Sequence, residues 1–342
     1  MTTTLVESEL LARAARVGLV TSREVGDRAV MLQTYEEGRR YAVVLHGRPI
    51  AWIQVPQKSS PAGRGEDPLV RQRQILRQLV GTDLAPLELV VDGVELWTLA
   101  GRGTAMGAVT TSTAELAEVC QAWGAATAAL HRFGTGSLGA APTAPLPWVL
   151  KPDRLPPAMR QVPAGSARAL VLRTLDNDRA LIRTVQRIAD RWSARHWMHG
   201  NLTEDRVLVD RSSELRIRFT DFAVGGLGDP AWDLAAAVDT IERLAGDPDA
   251  VWGDTNAGCL VEFFLHGYRR AGGPGVLDPG MRALRTVTRA WDQATRLDTT
   301  TAQPPRMSSP AADLRRTPTL TQRLTLARQL ATRSAQPGLL AA

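Results

Sequence analysis

The sequence predicts an α+β fold: a small antiparallel-sheet lobe with one main helix, followed by a larger, mostly helical lobe. Short β-branched and aromatic runs broken by turn residues fill residues 30–100. Apolar residues at helical spacing dominate the chain beyond them. At 342 residues there is room for one large domain or two ordinary ones, with enough buried surface to need no covalent staples.

In order along the chain, VMLQTYEEGRRYAVVLHGRPIAWIQV (30–55) reads as an antiparallel meander broken at EEG and HGRP. The polar stretch KSSPAGRGEDP is a loop, after which Asp67 and Pro68 cap a helix carrying Leu69, Ile75, Leu76 and Leu79. ELVVDGVELWTLA is a second hairpin with Asp92 and Gly93 as its turn. Beyond residue 100 a helix over TAELAEVCQAWGAATAALHRF is followed by a Pro-rich connector and a second helix around ALIRTVQRIADRW. HWMHGNLTEDRVLVD and LRIRFTDF read as two short strands around a loop. GDPAWDLAAAVDTIERLA begins a helix capped by Asp229 with Pro230 in its first turn, and helices near 255–271 and 280–296 follow. The last segment starts as a Pro/Thr/Ser linker and holds one amphipathic basic helix at about 319–333.

Composition limits the function classes. Cys120 and Cys259 are far apart and without a CxxC partner, so neither a disulfide framework nor a zinc site is expected. The first twenty residues lack a basic leader with an apolar core, and no run of eighteen apolar residues occurs. A cytoplasmic location and no membrane partner are expected. The net charge is +6, and all but two of the 41 basic residues are arginine. Residues 301–342 carry six arginines against Asp313 alone, so the body is near neutral and nucleic acid is not an expected partner. The tail helix is expected to dock on its own domain.

The segment HGNLTEDRVLV, the DF turn at 221–222 and GDPAWDLA at 228–235 occur in that order behind a β-rich lobe. Together they resemble the kinase-like phosphotransferase family that includes the aminoglycoside phosphotransferases, whose segment reads HGDLxxxNxLV…DFxxxxxGDPxWDLA. The resemblance implies a bilobal protein-kinase-like fold. Residues 1–100 form its N-lobe, 101–300 its C-lobe with an insert around 140–170, and 301–342 the tail. It also implies the roles that phosphoryl transfer requires: a nucleophile oriented by a loop carboxylate, Mg²⁺ held against the phosphates, and cations on the developing charge.

Those roles fall on altered residues here. Gln54 stands at the position of the strand lysine, and Gln72 at that of its helix glutamate. Asn201 replaces the catalytic aspartate and cannot take a proton at neutral pH. Arg206 replaces a metal-binding asparagine and puts a cation where Mg²⁺ belongs. Asp221 remains as the metal-binding aspartate, His199 keeps the loop's histidine, and Lys58 is the only lysine near Gln54. His199, Trp232 and Asp233 read more readily as the scaffold of the loop than as reacting groups. The coordinated loss points to a pseudokinase with no resident cofactor. An active phosphotransferase using ATP and Mg²⁺ through Asp221 is the alternative, acting on Ser/Thr of a peptide or on a small-molecule hydroxyl.

The connector narrows the resemblance. Pro147, Trp148, the prolines at 152, 156 and 157, Ser166 and Trp192 are similar to the insert of the kinase component of class V lanthipeptide and thioamitide biosynthesis. That likeness implies a precursor (leader) peptide as partner, together with a separate lyase.

Overall fold

The computed structural model describes residues 2–35, 40–55, 68–86, 88–89, 95–100, 103–109, 112–134, 141–152, 155, 159, 161–246, 252, 255–302 and 319–335. Lys58, Asp67, the Asp92–Gly93 turn and the prolines at 156 and 157 lie outside them.

Five strands make the N-terminal sheet: β1 (Val30–Tyr35), β2 (Arg40–Leu45), β3 (Arg48–Gln54), β4 (Glu88–Leu89) and β5 (Leu96–Leu99). They pair antiparallel in the order β1-β2-β3-β5-β4. Alternation along β3 splits its side chains between two faces. Ala51 and Ile53 are buried together with Val43, Tyr41 and Trp97. Trp52 and Gln54 take the other face, opposite Thr98 and Leu96 of β5.

The first face is covered by two helices to which sequence reasoning assigned no element. Helix α1 (Thr2–Arg16) presents Leu10 and Ala14, four residues apart, to the Val43 and Ile53 cluster. Helix α2 (Ser22–Gly26) is started by a capping box in which Thr21 and Glu24 bond each other's backbone N–H. The second face meets helix α3 (Pro68–Gln78): Leu96 shares a cluster with Ile75, Leu76 and Leu79 and, through them, with the helical part of the molecule.

The helical part begins with β6 (Thr104–Ala105) and α4 (Thr113–Arg132), the latter capped by Ser112 and Glu115. The connector then forms α5 (Ala167–Asn177) and α6 (Arg179–Arg191), one helix more than the spacing suggested. Asp178 separates them by bonding the backbone N–H of Ala180 and Leu181. Four short strands follow: β7 (His196–Met198), β8 (Val207–Asp210), β9 (Arg216–Phe219) and β10 (Gly226–Gly228). HWM is a strand of its own, paired with β10, while β8 pairs with β6 and β9. Helices α7 (Pro230–Gly246), α8 (Ala257–Arg270), α9 (Pro279–Ala302) and α10 (Leu320–Ser334) complete the chain.

Helix α9 runs past its expected end at 296 into the threonines assigned to a linker. Thr295 and Thr299 donate their hydroxyls to the carbonyls of Trp291 and Thr295, so these side chains are satisfied within the helix. Helix α10 packs as expected. Leu320, Leu324, Ala327, Leu330 and Ala331 are buried with residues of α6 and α9, and Arg328 pairs with Asp178 at 3.0 Å. No helix among the described residues is long and apolar enough to cross a membrane.

Candidate functional site

The loop between β7 and β8 is held by one buried carboxylate. Asp233, in the first turn of α7 and fully buried, accepts the backbone N–H of His199 at 2.6 Å and of Gly200 at 2.8 Å. His131 from α4 donates Nε2–H to the same carboxylate at 3.3 Å, and the Tyr268 hydroxyl donates to His131 Nδ1 at 2.9 Å. Burial pushes the Asp233 carboxyl up, but the hydrogen bonds it accepts from His131 and from the His199 backbone N–H hold it below the usual carboxylate range. Trp232 donates its indole N–H to Gly200 O at 3.1 Å. Gly200 has φ +83°, and a Cβ there would lie 2.5 Å from Val224 O.

His199 serves the loop as well. Its Nε2 faces the Thr220 carbonyl at 2.7 Å and therefore carries the hydrogen, leaving Nδ1 to accept the Asn201 N–H at 3.3 Å. Burial lowers the imidazole's pKa against the opposing pull of Asp233, so the ring is neutral at pH 7. With both nitrogens engaged and the side chain fully buried, His199 orients the loop.

Asp221 lies in the left-handed region at φ 61°, where its Oδ1 accepts the Ala223 N–H at 3.4 Å. Its other oxygen is taken. Arg206 Nη2 lies 2.9 Å from Asp221 Oδ2, both side chains being largely sequestered. The backbone sets this up, because the Arg206 carbonyl accepts the Thr220 N–H at 2.9 Å and brings the two segments side by side.

Asn201 is bound from a direction the sequence did not reveal. Arg285, on α9 and 7 % exposed, donates Nη2 to Asn201 Oδ1, with its guanidinium 5.3 Å from the Trp232 ring centre. Burial and then the neighbouring charge of Arg289 push its pKa down to about 10. The signal available beforehand was an arginine on a face with Met281, Leu284 and Thr288, positions of a core helix.

The two amides remain apart. Gln72 is 4 % exposed on the inner face of α3, three residues before Ile75, and its Oε1 has no partner among the described residues. Gln54 is half-buried at the end of β3. No hydrogen bond joins them among the described residues. Helix α3 is instead tied by Arg73 to Glu88 at 2.8 Å, by Arg77 to Glu88 at 3.4 Å, and by Arg71 to the Thr143 carbonyl.

A five-stranded antiparallel sheet, a helix packed between it and a helical part, and a loop–strand–DF unit held by a buried aspartate define a kinase-like phosphotransferase architecture. The family model "Phosphotransferase enzyme family" matches residues 36–285, and the chain belongs to this family. Solved structures agree on the fold. The choline kinase from Streptococcus pneumoniae superposes with a TM-score of 0.56 at 11 % identity, covering 92 % of this chain and 98 % of its own. A thermostable mutant of aminoglycoside phosphotransferase APH(4)-Ia, in ternary complex with ADP and hygromycin B, gives 0.54 at 13 %, covering 92 % and 99 %. An aminoglycoside phosphotransferase from Streptomyces rimosus gives 0.50 at 18 %, covering 81 % and 95 %. A comparison with curated protein sequences gives no match.

The residues present do not fit the magnesium that members of such a fold use with ATP. Asp221, the carboxylate that the resemblance assigns to the metal, is paired with the Arg206 guanidinium at 2.9 Å. A groove of about 430 Å³ lies elsewhere, lined by Glu118, Gln121 and Ala125 of α4 and Gly267 and Arg270 of α8; none of the altered positions borders it.

Proposed function

We propose that this family member is a pseudokinase, retaining the architecture of phosphoryl transfer without the means to perform it. The observation that carries the reading is the Arg206–Asp221 ion pair, which places a guanidinium on the one acidic metal ligand the loop and DF turn retain. Phosphoryl transfer depends on positioning and charge neutralisation by metal. A cation locked on the metal's carboxylate opposes both. Amides at both Gln54 and Gln72, the positions of the strand lysine and its helix glutamate, are consistent, because losing one member of that lysine–glutamate pair alone would strand a charge.

In this reading residues 1–100 and 101–300 are the two lobes, and the cleft between them binds without reacting. Its ligand is a precursor (leader) peptide, with a lyase as a further partner, and the chain serves ribosomal peptide modification as a scaffold or allosteric subunit. The connector supports this by likeness of residues. Trp148 packs against Trp291 at 5.5 Å, Ser166 caps α5, and Trp192 meets Trp232 at 6.3 Å, so the insert is fastened to the helices around the loop.

The competing reading is an active ATP-dependent transferase, favoured by the retention of Asp221 and by the family match over residues 36–285. It requires Arg206 to leave Asp221 when Mg·ATP arrives. Calorimetry of Mg·ATP binding, alongside transfer of the γ-phosphate to candidate Ser/Thr peptides, separates the two readings: neither binding nor transfer is expected.

A further inference from the structure

We propose that the corner formed by Asn201, Arg206 and Arg285 is a phosphomonoester-binding site, taking an already phosphorylated side chain where the frame would otherwise present a hydroxyl for phosphorylation. The inference rests on the non-catalytic reading above and names the ligand class for the same corner.

The argument begins with the orientation of an amide. Arg285 has only donors, so the Asn201 atom facing its Nη2 must be the carbonyl oxygen. The amide NH₂ is thereby turned away, and it has no protein partner among the described residues. The position that would offer an acceptor to a hydroxyl offers two N–H donors. Arg206 adds a second donor set, fixed to Asp221 through Nη2 only, with a weaker approach to Asp205 at 3.9 Å. Arg285 adds positive charge behind the amide rather than a further donor, its unpartnered Nε being buried. A hydroxyl entering here finds Asp221 and Asp233 already paired, whereas a phosphoryl group with three acceptor oxygens finds the Asn201 and Arg206 donors.

The nearby carboxylates are already accounted for. Asp233 is used by the loop N–H groups and His131, Asp239 is paired with Arg289 at 2.9 Å, and Asp221 with Arg206. Asp292 is the exception. It lies in the fields of Arg285, Arg289, Arg296 and Arg206 but forms no direct ion pair among the described residues. Burial pushes its pKa up against the opposing charges of those arginines, and an anion bound beside them would be repelled by it. Its presence also predicts how the site can be strengthened.

The test titrates the full chain at low salt with O-phosphoserine, phenyl phosphate, inorganic phosphate, metal-free ATP and unmodified serine, followed by calorimetry. Saturable binding of the two monoesters, with none of serine, is expected. Asn201→Asp turns the donor into a carboxylate and should weaken the monoesters by about tenfold or more. Asp292→Asn should tighten them several-fold. Opposite signs from two conservative variants cannot arise from a general loss of fold, which a thermal melt of each variant checks. Phosphoserine bound more tightly than metal-free ATP assigns the site to phosphorylated side chains. Stronger binding of ATP alone, no monoester binding, or monoester binding indifferent to both substitutions overturns the proposal. Absence of phosphate binding together with absence of γ-phosphate transfer removes this inference and leaves the pseudokinase reading standing.

Discussion

At the scale of single residues, Asn201 and Arg206 are each engaged by a residue outside the set of altered positions, Arg285 and Asp221. Asn201 looks like a lost base in the sequence, but in the structure it is the acceptor for a buried arginine. Restoring the aspartate is therefore not expected to restore chemistry. Asn201→Asp would pair with Arg285 and leave Arg206 and Gln54 in place, so γ-phosphate transfer should stay at the background of the parent; losses within one site do not act independently. Arg206→Asn addresses the metal position directly. It frees Asp221 and is expected to let Mg·ATP raise the melting temperature by a few degrees where the parent does not respond, measured by differential scanning fluorimetry. His199 contributes a pH dependence. Its folded pKa lies below the ordinary 6.5, so the unfolded chain takes up the proton first, and the stability from the neutral ring is complete above 6.5 and declines as pH falls below it. The slope of melting temperature between pH 6.5 and 5 should flatten in His199→Asn.

At the scale of elements, the catalytic-loop frame is kept by a carboxylate on a helix. Asp233→Asn replaces an ionised acceptor of two backbone N–H groups by a neutral amide inside the core and is expected to cost about 3 kcal/mol by denaturant midpoint. The tail helix behaves as part of the domain. Leu324→Ala should cost about 2–4 kcal/mol, because the residue is 3 % exposed between α6 and α9. Much of this level was legible beforehand. The meander, α3, α4, the Asp229–Pro230 start of α7 and the docked basic helix all follow from periodicity and caps. What was not legible had local causes. Helix α1 opens on three threonines and α2 is only five residues long, and both are placed by the sheet face they cover. The end of α9 reads as a Thr-rich linker until its hydroxyls find carbonyls one turn back. HWM is too short to announce itself as a separate strand without its partner Gly226–Gly228.

At the scale of the whole molecule, the candidate site is assembled from segments far apart in sequence, which explains how far reading alone could go. Arg206 and Asp221 fall within one motif, and their opposition could be inferred from charge. Arg285 enters from a helix more than sixty residues later, and no local pattern tells a buried arginine from a solvated one. Likewise Gln54 and Gln72 could be placed on β3 and α3, but the contacts that tie α3 to Glu88 and Thr143 come from residues distant in sequence. The fold belongs to a phosphotransferase family, and in its loop and DF turn Arg206 is paired with Asp221. The most direct measurement is therefore a γ-phosphate transfer assay on the full chain with Mg·ATP and Ser/Thr peptides, run beside calorimetric titration of Mg·ATP. The account predicts neither turnover above background nor metal-dependent nucleotide binding; peptide phosphorylation that disappears in Asp221→Ala would contradict it.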